Sequence, residues 1–349
     1  MLNKIKYSFL KNKLRKPIYL IFFVTSKCNS KCRHCFFSKE LNNKIEDLSL
    51  DEINKFSKEM NKLVWLSFSG GEPFLRKDLF EVYKIFIDNN KAENINIPTN
   101  GILSDKIYSD VVKMLEYGNG KIKNFTLTLS LEGNEKVHNE IRGVNCYKKV
   151  IETYNKLAPL KKKYSYFSIM ASTVITNKNY KTLLEFHKEI KKLMPELDFH
   201  NLEIMRGDPK DKNYNAPNIQ ELKELRPVIF KIWNDYDYYK SKIEARIADK
   251  TKKILYNEYI KIMETGKQPW QCYAGLVHAV IDYKGDVFFC EMLPKIGNLR
   301  EQSFTEIWNS KKAKEMRKSI KCRKCSCTHS CFQITNLIFN QFYWPRLLI

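Results

Sequence analysis

The sequence has no run of eighteen apolar residues, so no part of it is expected to cross a membrane as a helix. Its opening, MLNKIKYSFLKNKLRK, lacks the apolar core and small-residue cleavage site of a secretory signal, which predicts a cytoplasmic protein. No zinc-finger helix, aromatic RNA-binding signature, sustained repeat or low-complexity linker is visible. Acidic residues are outnumbered, 39 against 61 basic, for a net charge of +22. That excess permits an anionic partner: nucleic acid, a phosphorylated substrate or an anionic membrane surface. The lysines, however, are spread along the whole chain beside Asn and Ile, which reads as compositional bias on solvated helix faces. Apolar residues are not scarce. They make up 43% of 349 residues, enough for a large core and one to three domains.

Cysteine is abundant, and nine of the ten cysteines fall into groups, leaving Cys146 alone as a structural thiol. Without an export signal, such grouping predicts metal ligation rather than disulfides. The run TSKCNSKCRHC places Cys28, Cys32 and Cys35 directly after the apolar run Tyr19–Val24. Three thiolates at this spacing can hold three irons of a 4Fe-4S cube and leave the fourth iron open to a substrate or cofactor. His34 lies inside the motif where it could compete, and a zinc site stays open as the alternative.

Strands are predicted at Tyr19–Val24, Val64–Phe68, Asn94–Pro98, Phe125–Ser130, Phe167–Val174 and Phe199–Met205. Helices are predicted at Leu50–Leu63, Lys77–Asn90, Asp105–Tyr117, Tyr147–Leu157 and Asn179–Leu193, with Ser49 and Glu52 as a capping box. This alternation argues for an α/β chain of parallel units: a partial (β/α)6 TIM-like barrel, with its chemistry at the C-terminal strand ends. The motifs follow that rule. The cysteine loop follows the first strand and Ser69-Gly70-Gly71-Glu72-Pro73 the second. Thr99-Asn100-Gly101 ends the third, and Ser130-Leu131-Glu132-Gly133 the fourth. Two glycines let a backbone approach a ligand, and Glu72 could accept a hydrogen bond from an ammonium group. Asn100 and Ser130 offer an amide and a hydroxyl at the same rim. Arg142, in HNEIRG with His138, could pair with a carboxylate by a two-point contact, or form an ordinary surface ion pair. Arg206-Gly207 after the sixth strand is a weaker candidate for closing the pocket.

The expected divisions are a basic segment at 1–16, the barrel at 17–210, a helical connector at 211–267, a small cysteine-rich α+β unit at 268–335 and an aromatic tail at 336–349. The first segment, with Leu2, Ile5, Phe9, Leu10 and Leu14, could lie on an anionic membrane or pack on the barrel; the tail is expected to dock. In the cysteine-rich unit Cys272 and Cys290 flank a hairpin turn at Gly285-Asp286, and CRKCSCTHSC supplies Cys322, Cys325, Cys327 and Cys331. Paired cysteines on hairpins also bind zinc, so that reading stays open here too.

Taken together, CNSKCRHC, SGGEP and the later cysteines resemble the radical S-adenosylmethionine (radical SAM) superfamily with a C-terminal SPASM or twitch extension, over most of residues 17–332. The resemblance implies a catalytic 4Fe-4S cluster on Cys28, Cys32 and Cys35. It implies S-adenosylmethionine held by Gly70, Gly71 and Glu72, with His34, Asn100, Ser130 and Arg142 around it. Reductive cleavage would give a 5′-deoxyadenosyl radical that takes hydrogen from an unidentified substrate, for oxidation, epimerisation or bond formation. A flavodoxin- or ferredoxin-type donor would supply electrons. The substrate is left open among a small metabolite, a sugar or nucleotide derivative, a lipid head group and a peptide. Glu132 stands where Asp is commoner. The six later cysteines imply one auxiliary 4Fe-4S cluster, with a second left open. The twitch pattern matches Cys272, Cys290, Cys322 and Cys325, with Cys327 and Cys331 as rivals for one or two of those places; His329 could contribute a ligand to a second cluster. The alternative from another class is a metal-stabilised scaffold without turnover.

Overall fold

The computed structural model describes residues 16–236 and 242–348; the basic segment singled out in the sequence lies, up to residue 15, outside them. Six strands run parallel in chain order: β1 (Tyr19–Thr25), β2 (Trp65–Gly70), β3 (Asn94–Thr99), β4 (Asn124–Ser130), β5 (Phe167–Ile175) and β6 (Phe199–Ile204). Each matches its predicted strand to within two residues. Along β2, β3 and β4 buried apolar residues alternate with half-exposed, mostly polar ones. Leu66, Phe68, Ile95, Ile97, Phe125 and Leu127 join the core under the helices. Their neighbours Ser69, Asn96, Thr126 and Ser130 line cavities on the other face. The inward face of β2, β3 and β4 is therefore mostly polar, and their core contacts lie on the outer face.

The helices between the strands are α1 (Leu50–Glu59), α2 (Leu79–Asn90), α3 (Ser104–Gly118), α4 (Glu135–Arg142), α5 (Tyr147–Leu157), the short α6 (Leu160–Lys163) and α7 (Leu183–Leu193). The Ser49–Glu52 capping box is formed in both directions. Helix α1 stops four residues before its expected end at Leu63, because the buried Asn90 amide donates to the carbonyls of Ser57, Met60 and Asn61. Helix α4 was not anticipated. Its apolar residues are just Val137 and Ile141, too few to show a period. Its signals are local: Asn134 caps it, and Gly143 ends it with a left-handed φ of 66°.

Helices α8 (Ile219–Asn234) and α9 (Lys242–Thr265) form the connector and share a second core with β6, Trp270 and Leu337. Strand β7 (His278–Ile281) then pairs in parallel with β1, and β8 (Asp286–Phe288) and β9 (Gly297–Asn298) follow antiparallel. The sheet order is β6-β5-β4-β3-β2-β1-β7-β8-β9. The cysteine-rich region thus continues the barrel sheet rather than standing beside it. Helices α10 (Phe304–Asn309), α11 (Lys311–Lys321), α12 (Ser330–Phe339) and α13 (Trp344–Leu348) complete the chain. The tail docks: Tyr343 meets Trp270 edge-on at 5.2 Å, and Leu337 and Leu347 join the second core. Among the described residues no helix is long and apolar enough to cross a membrane.

Candidate active site

The cysteine loop leaves β1 and is fixed on three sides. The Asn42 side chain pairs with both backbone groups of Cys28, accepting from its N–H at 2.9 Å and donating to its carbonyl at 3.1 Å. The C-terminal turn of α4 accepts Lys31 N–H at the Arg142 carbonyl and Arg33 N–H at the Ile141 carbonyl, at 3.0 and 2.9 Å. Ser30 Oγ lies 3.1 Å from Cys32 Sγ, and Asn29 accepts from the Asn100 amide at 2.7 Å.

The third side is the Gly-Gly segment. Gly71 N–H donates to the Thr25 carbonyl and Glu72 N–H to the Lys27 carbonyl, both at 2.8 Å. A Cβ on Gly71 would stand 2.1 Å from the Lys27 oxygen, and one on Gly70, at φ 122°, 2.4 Å from the Thr25 oxygen. The glycines are thus required by the chain's own backbone, before any ligand is considered.

Glu72 is buried and spends its oxygens on the protein. It accepts from Thr99 Oγ1 and Asn100 N–H at 2.7 Å, and from Phe74 N–H at 3.3 Å. Burial raises its pKa against the pull of these donors. The residue ties the ends of β2 and β3 together, a role the sequence did not reveal, and Thr99 of the Thr99-Asn100-Gly101 motif gives its hydroxyl to Glu72. Glu132 does similar work one strand on. Its carboxylate accepts from Val174 N–H at 2.9 Å and from Arg142 Nη1 at 3.4 Å, and lies 3.8 Å from His34 Nε2. Arg142 is buried, and its Nε has no partner among the described residues. His34 is buried as well, and burial lowers its pKa.

These groups share a cavity of about 270 Å³ at the C-terminal strand ends. Cys28, Cys32, Cys35, His34, Gly70, Gly71, Glu72, Asn100, Ser130 and Arg142 all line it, and so do Glu132, Ser172 and Arg206. Burial pushes the Cys28 and Cys35 thiols up to about 11. Ionising them needs positive charge beside the sulfurs, which cluster irons would bring. The residues fit an iron–sulfur cluster with a zwitterionic ligand: three sulfurs on one loop, an open side, and an unpaired buried guanidinium donor across it. No three His, Cys, Asp or Glu side chains among the described residues converge as a single-ion site requires, so a mononuclear zinc site is not preassembled at either cysteine group.

Cys146 stands apart. His138 Nδ1 accepts the Glu132 amide at 3.2 Å, so its Nε2–H faces Cys146 Sγ at 3.2 Å and donates to it. An imidazole in that tautomer cannot take the thiol proton, in keeping with a structural thiol.

In the C-terminal region Cys290 is buried and Cys272, Cys327 and Cys331 are half-buried, while Cys322 and Cys325 are exposed. Arg206 reaches across from the end of β6. It donates to Glu291 at 2.8 Å, and Glu291 lies 2.6 Å from His329 Nε2.

Comparison with known proteins agrees with this geometry. The family model described as the radical SAM superfamily matches residues 22–190, and that of the iron-sulfur cluster-binding SPASM domain matches residues 272–331. The chain belongs to the radical SAM superfamily. It is an enzyme of that superfamily with a C-terminal SPASM domain, which sets aside the scaffold alternative. The two domains imply S-adenosylmethionine and iron–sulfur clusters as cofactors. This radical SAM protein is 24% identical to a cysteine-type anaerobic sulfatase-maturating enzyme of Clostridium novyi, over 88% of this chain and 84% of that one. It is 25% identical to the mycofactocin maturase MftC of Mycobacterium tuberculosis, over 90% and 77%. Among solved structures, SuiB of Streptococcus suis bound to S-adenosylmethionine superposes with a TM-score of 0.63 at 18% identity, over 94% of this chain and 74% of that one. Native anSMEcpe with bound AdoMet and a peptide gives 0.62 at 19% identity, over 95% and 98%. At such identities the likeness is one of fold.

Proposed function

We propose that this enzyme binds a 4Fe-4S cluster at Cys28, Cys32 and Cys35, cleaves S-adenosylmethionine reductively and takes a hydrogen atom from a residue of a peptide or protein. The observation that carries the reading is the meeting of three thiols, the Gly-Gly-Glu segment and a buried guanidinium with an unpaired Nε donor on one cavity. When bound, the reduced cluster supplies one electron to the sulfonium of S-adenosylmethionine, whose cleavage provides the hydrogen-abstracting radical. Gly70 and Gly71 present backbone carbonyls to the cofactor ammonium, and Glu72 holds their segment against β3. Arg142, aligned by Glu132, takes the cofactor carboxylate through its free Nε. Asn100 and Ser130 meet the ribose side, and His34 closes the wall as a neutral ring. The SPASM domain carries auxiliary iron–sulfur chemistry for electron transfer, and a flavodoxin- or ferredoxin-type protein is the electron donor.

Support for a peptide substrate comes from the relatives. Two are named for the maturation of a sulfatase and of mycofactocin, and anSMEcpe was solved with a peptide. The test is anaerobic reconstitution, reduction by dithionite and detection of 5′-deoxyadenosine. Formation of the nucleoside supports the reading, and its absence from reduced, iron-loaded protein refutes it.

A further inference from the structure

Helix α11 and the turn after it carry the densest positive charge in the chain. Residues 311–324, KKAKEMRKSIKCRK, hold eight basic residues and one acidic one, Glu315. At the chain average of 61 basic residues in 349, fourteen residues would hold two or three, so compositional bias does not account for the stretch.

Packing uses one of the eight. Ala313, Met316, Arg317 and Ile320 recur at helical spacing and face inward. Arg317 Nε donates to the Gly275 carbonyl at 2.7 Å and Nη2 to that of Trp308 at 2.8 Å, and the guanidinium lies over the Phe289 and Trp308 rings. The other seven are exposed, and none forms an ion pair among the described residues. Lys311, Lys314, Lys318 and Lys321 fall within about 80° of one another around the axis and span about 15 Å along it, as a single stripe. Arg323 and Lys324 prolong it past the helix end, where Cys322 and Cys325 are exposed. The whole stripe lies within the iron-sulfur cluster-binding match, residues 272–331.

Helix stability does not ask for this charge. Lys318 and Lys321 in the last turn suit the helix dipole, but Lys311 and Lys312 sit in the first turn, against it, and no acid stands there. Helices α1, α8 and α10 instead place Glu52, Glu221 and Glu306 in that turn. The face offers a partner charge alone. The exposed large apolar side chains are Ile45, Tyr108, Leu193, Met292 and Phe342, and none is on α11 or its turn. The stripe therefore has nothing to insert into lipid and no ring to stack on a base.

We propose that residues 311–324 are the docking face for an acidic one-electron carrier, and that electrons enter the chain through the SPASM domain. This rests on the electron donor and the auxiliary iron–sulfur site of the proposed function. In the step, the anionic flavin hydroquinone of a flavodoxin loses one electron to become the neutral semiquinone, and the iron–sulfur site gains that electron; no bond is made or broken.

The probe is a purified acidic flavodoxin, fluorescently labelled and added to the anaerobically reconstituted protein. Binding is read by anisotropy, and electron delivery by 5′-deoxyadenosine, with dithionite as the small reductant for comparison. Lys314/Lys318/Lys321→Gln should weaken binding at low salt by about tenfold and slow flavodoxin-driven turnover, with dithionite-driven turnover unchanged. Lys162/Lys188/Lys192→Gln, exposed on α6 and α7, removes the same charge elsewhere and should change binding less than about twofold. Equal losses in the two triples would make the attraction a matter of net charge and overturn the docking face. So would a wild-type protein that does not bind the flavodoxin, a stripe variant that binds as the wild type does, or a stripe that holds single-stranded RNA or anionic vesicles more tightly than the flavodoxin. If dithionite too yields no 5′-deoxyadenosine, the radical reading fails, while the binding comparison still decides the docking face.

Discussion

The loop from Cys28 to Cys35 is tied to three neighbouring elements, whereas the segment from Cys322 to Thr328 is gripped chiefly at Cys327, by Gln268 and Gln333. Around the first loop stand Asn42, whose side chain holds both backbone groups of Cys28, the last turn of α4, which accepts two of its N–H groups, and the Gly-Gly segment, joined by its backbone to Thr25 and Lys27 just before it. Around the second, Cys322 and Cys325 are exposed, the N–H groups of Cys322, Arg323 and Lys324 stay on the last turn of α11, and the side chains of Gln268 and Gln333 hold the backbone of Cys327. The difference teaches that two cysteine groups in one chain can relate to metal in opposite ways. The first is a frame built by the fold, into which a cluster is set. The second has fewer ties to the rest of the fold, and its order is expected to depend on bound metal.

The sharpest way to break this contrast is at Gly71. Replacing it with Ala drives a Cβ into the Lys27 carbonyl, backbone against backbone, with no side chain to move aside. The substitution should cost about 3 kcal/mol or more and lower iron at the first site while sparing the second. Urea unfolding and iron content check it; a loss under about 1 kcal/mol would mean the loop is looser than described.

Arg142 comes next. Arg142→Ala leaves Glu132 buried beside a neutral His34 and should cost about 3 kcal/mol. Arg142→Lys should recover part of the stability but not the affinity for S-adenosylmethionine, since a lysine cannot hold Glu132 with one nitrogen while a second donor, in the place of Nε, faces the cofactor. Equal affinity in the lysine variant would remove the guanidinium from the cofactor site.

Stripping iron probes the contrast without mutation. Amide exchange in residues 322–328 should quicken by about tenfold or more, while residues 28–35 change less. The reverse order would show that the first loop, not the second, waits for its metal.

The smallest effects should be equal in the two regions. Ser49 and Ser303 each close a capping box, with Glu52 and Glu306. Changing either serine to Ala should cost about 1 kcal/mol and leave both iron contents unchanged. Unequal costs by thermal unfolding would show that the two regions do not melt as one cooperative unit.

Much of the barrel was legible because its strands obey a simple rule. In β2 to β4 alternate residues face the core, so a period of two marks them, and capping signals at Ser49 mark the helix between. The barrel candidates stood out mostly as motifs at strand ends, and Cys28, Cys32, Cys35, His34, Gly70, Gly71, Glu72, Asn100, Ser130 and, from helix α4, Arg142 line one cavity, whereas the six later cysteines lie outside it. Their reasons were not legible. That Gly71 is demanded by the Lys27 carbonyl, or that Glu72 serves Thr99 and Asn100, depends on strands thirty residues apart becoming neighbours. Helix α4 was missed because two apolar residues carry no period. The extension of the sheet by β7 was missed because four buried residues, His278 to Ile281, do not announce which edge they join.

The measurement closest to the heart of the account is made on the Cys28/Cys32/Cys35→Ala protein beside the wild type, both reconstituted anaerobically and reduced with S-adenosylmethionine present. Iron should fall from about eight to about four per chain, and 5′-deoxyadenosine should vanish. A variant that still makes the nucleoside, or that keeps all its iron, would contradict the assignment of the barrel cavity as the active site.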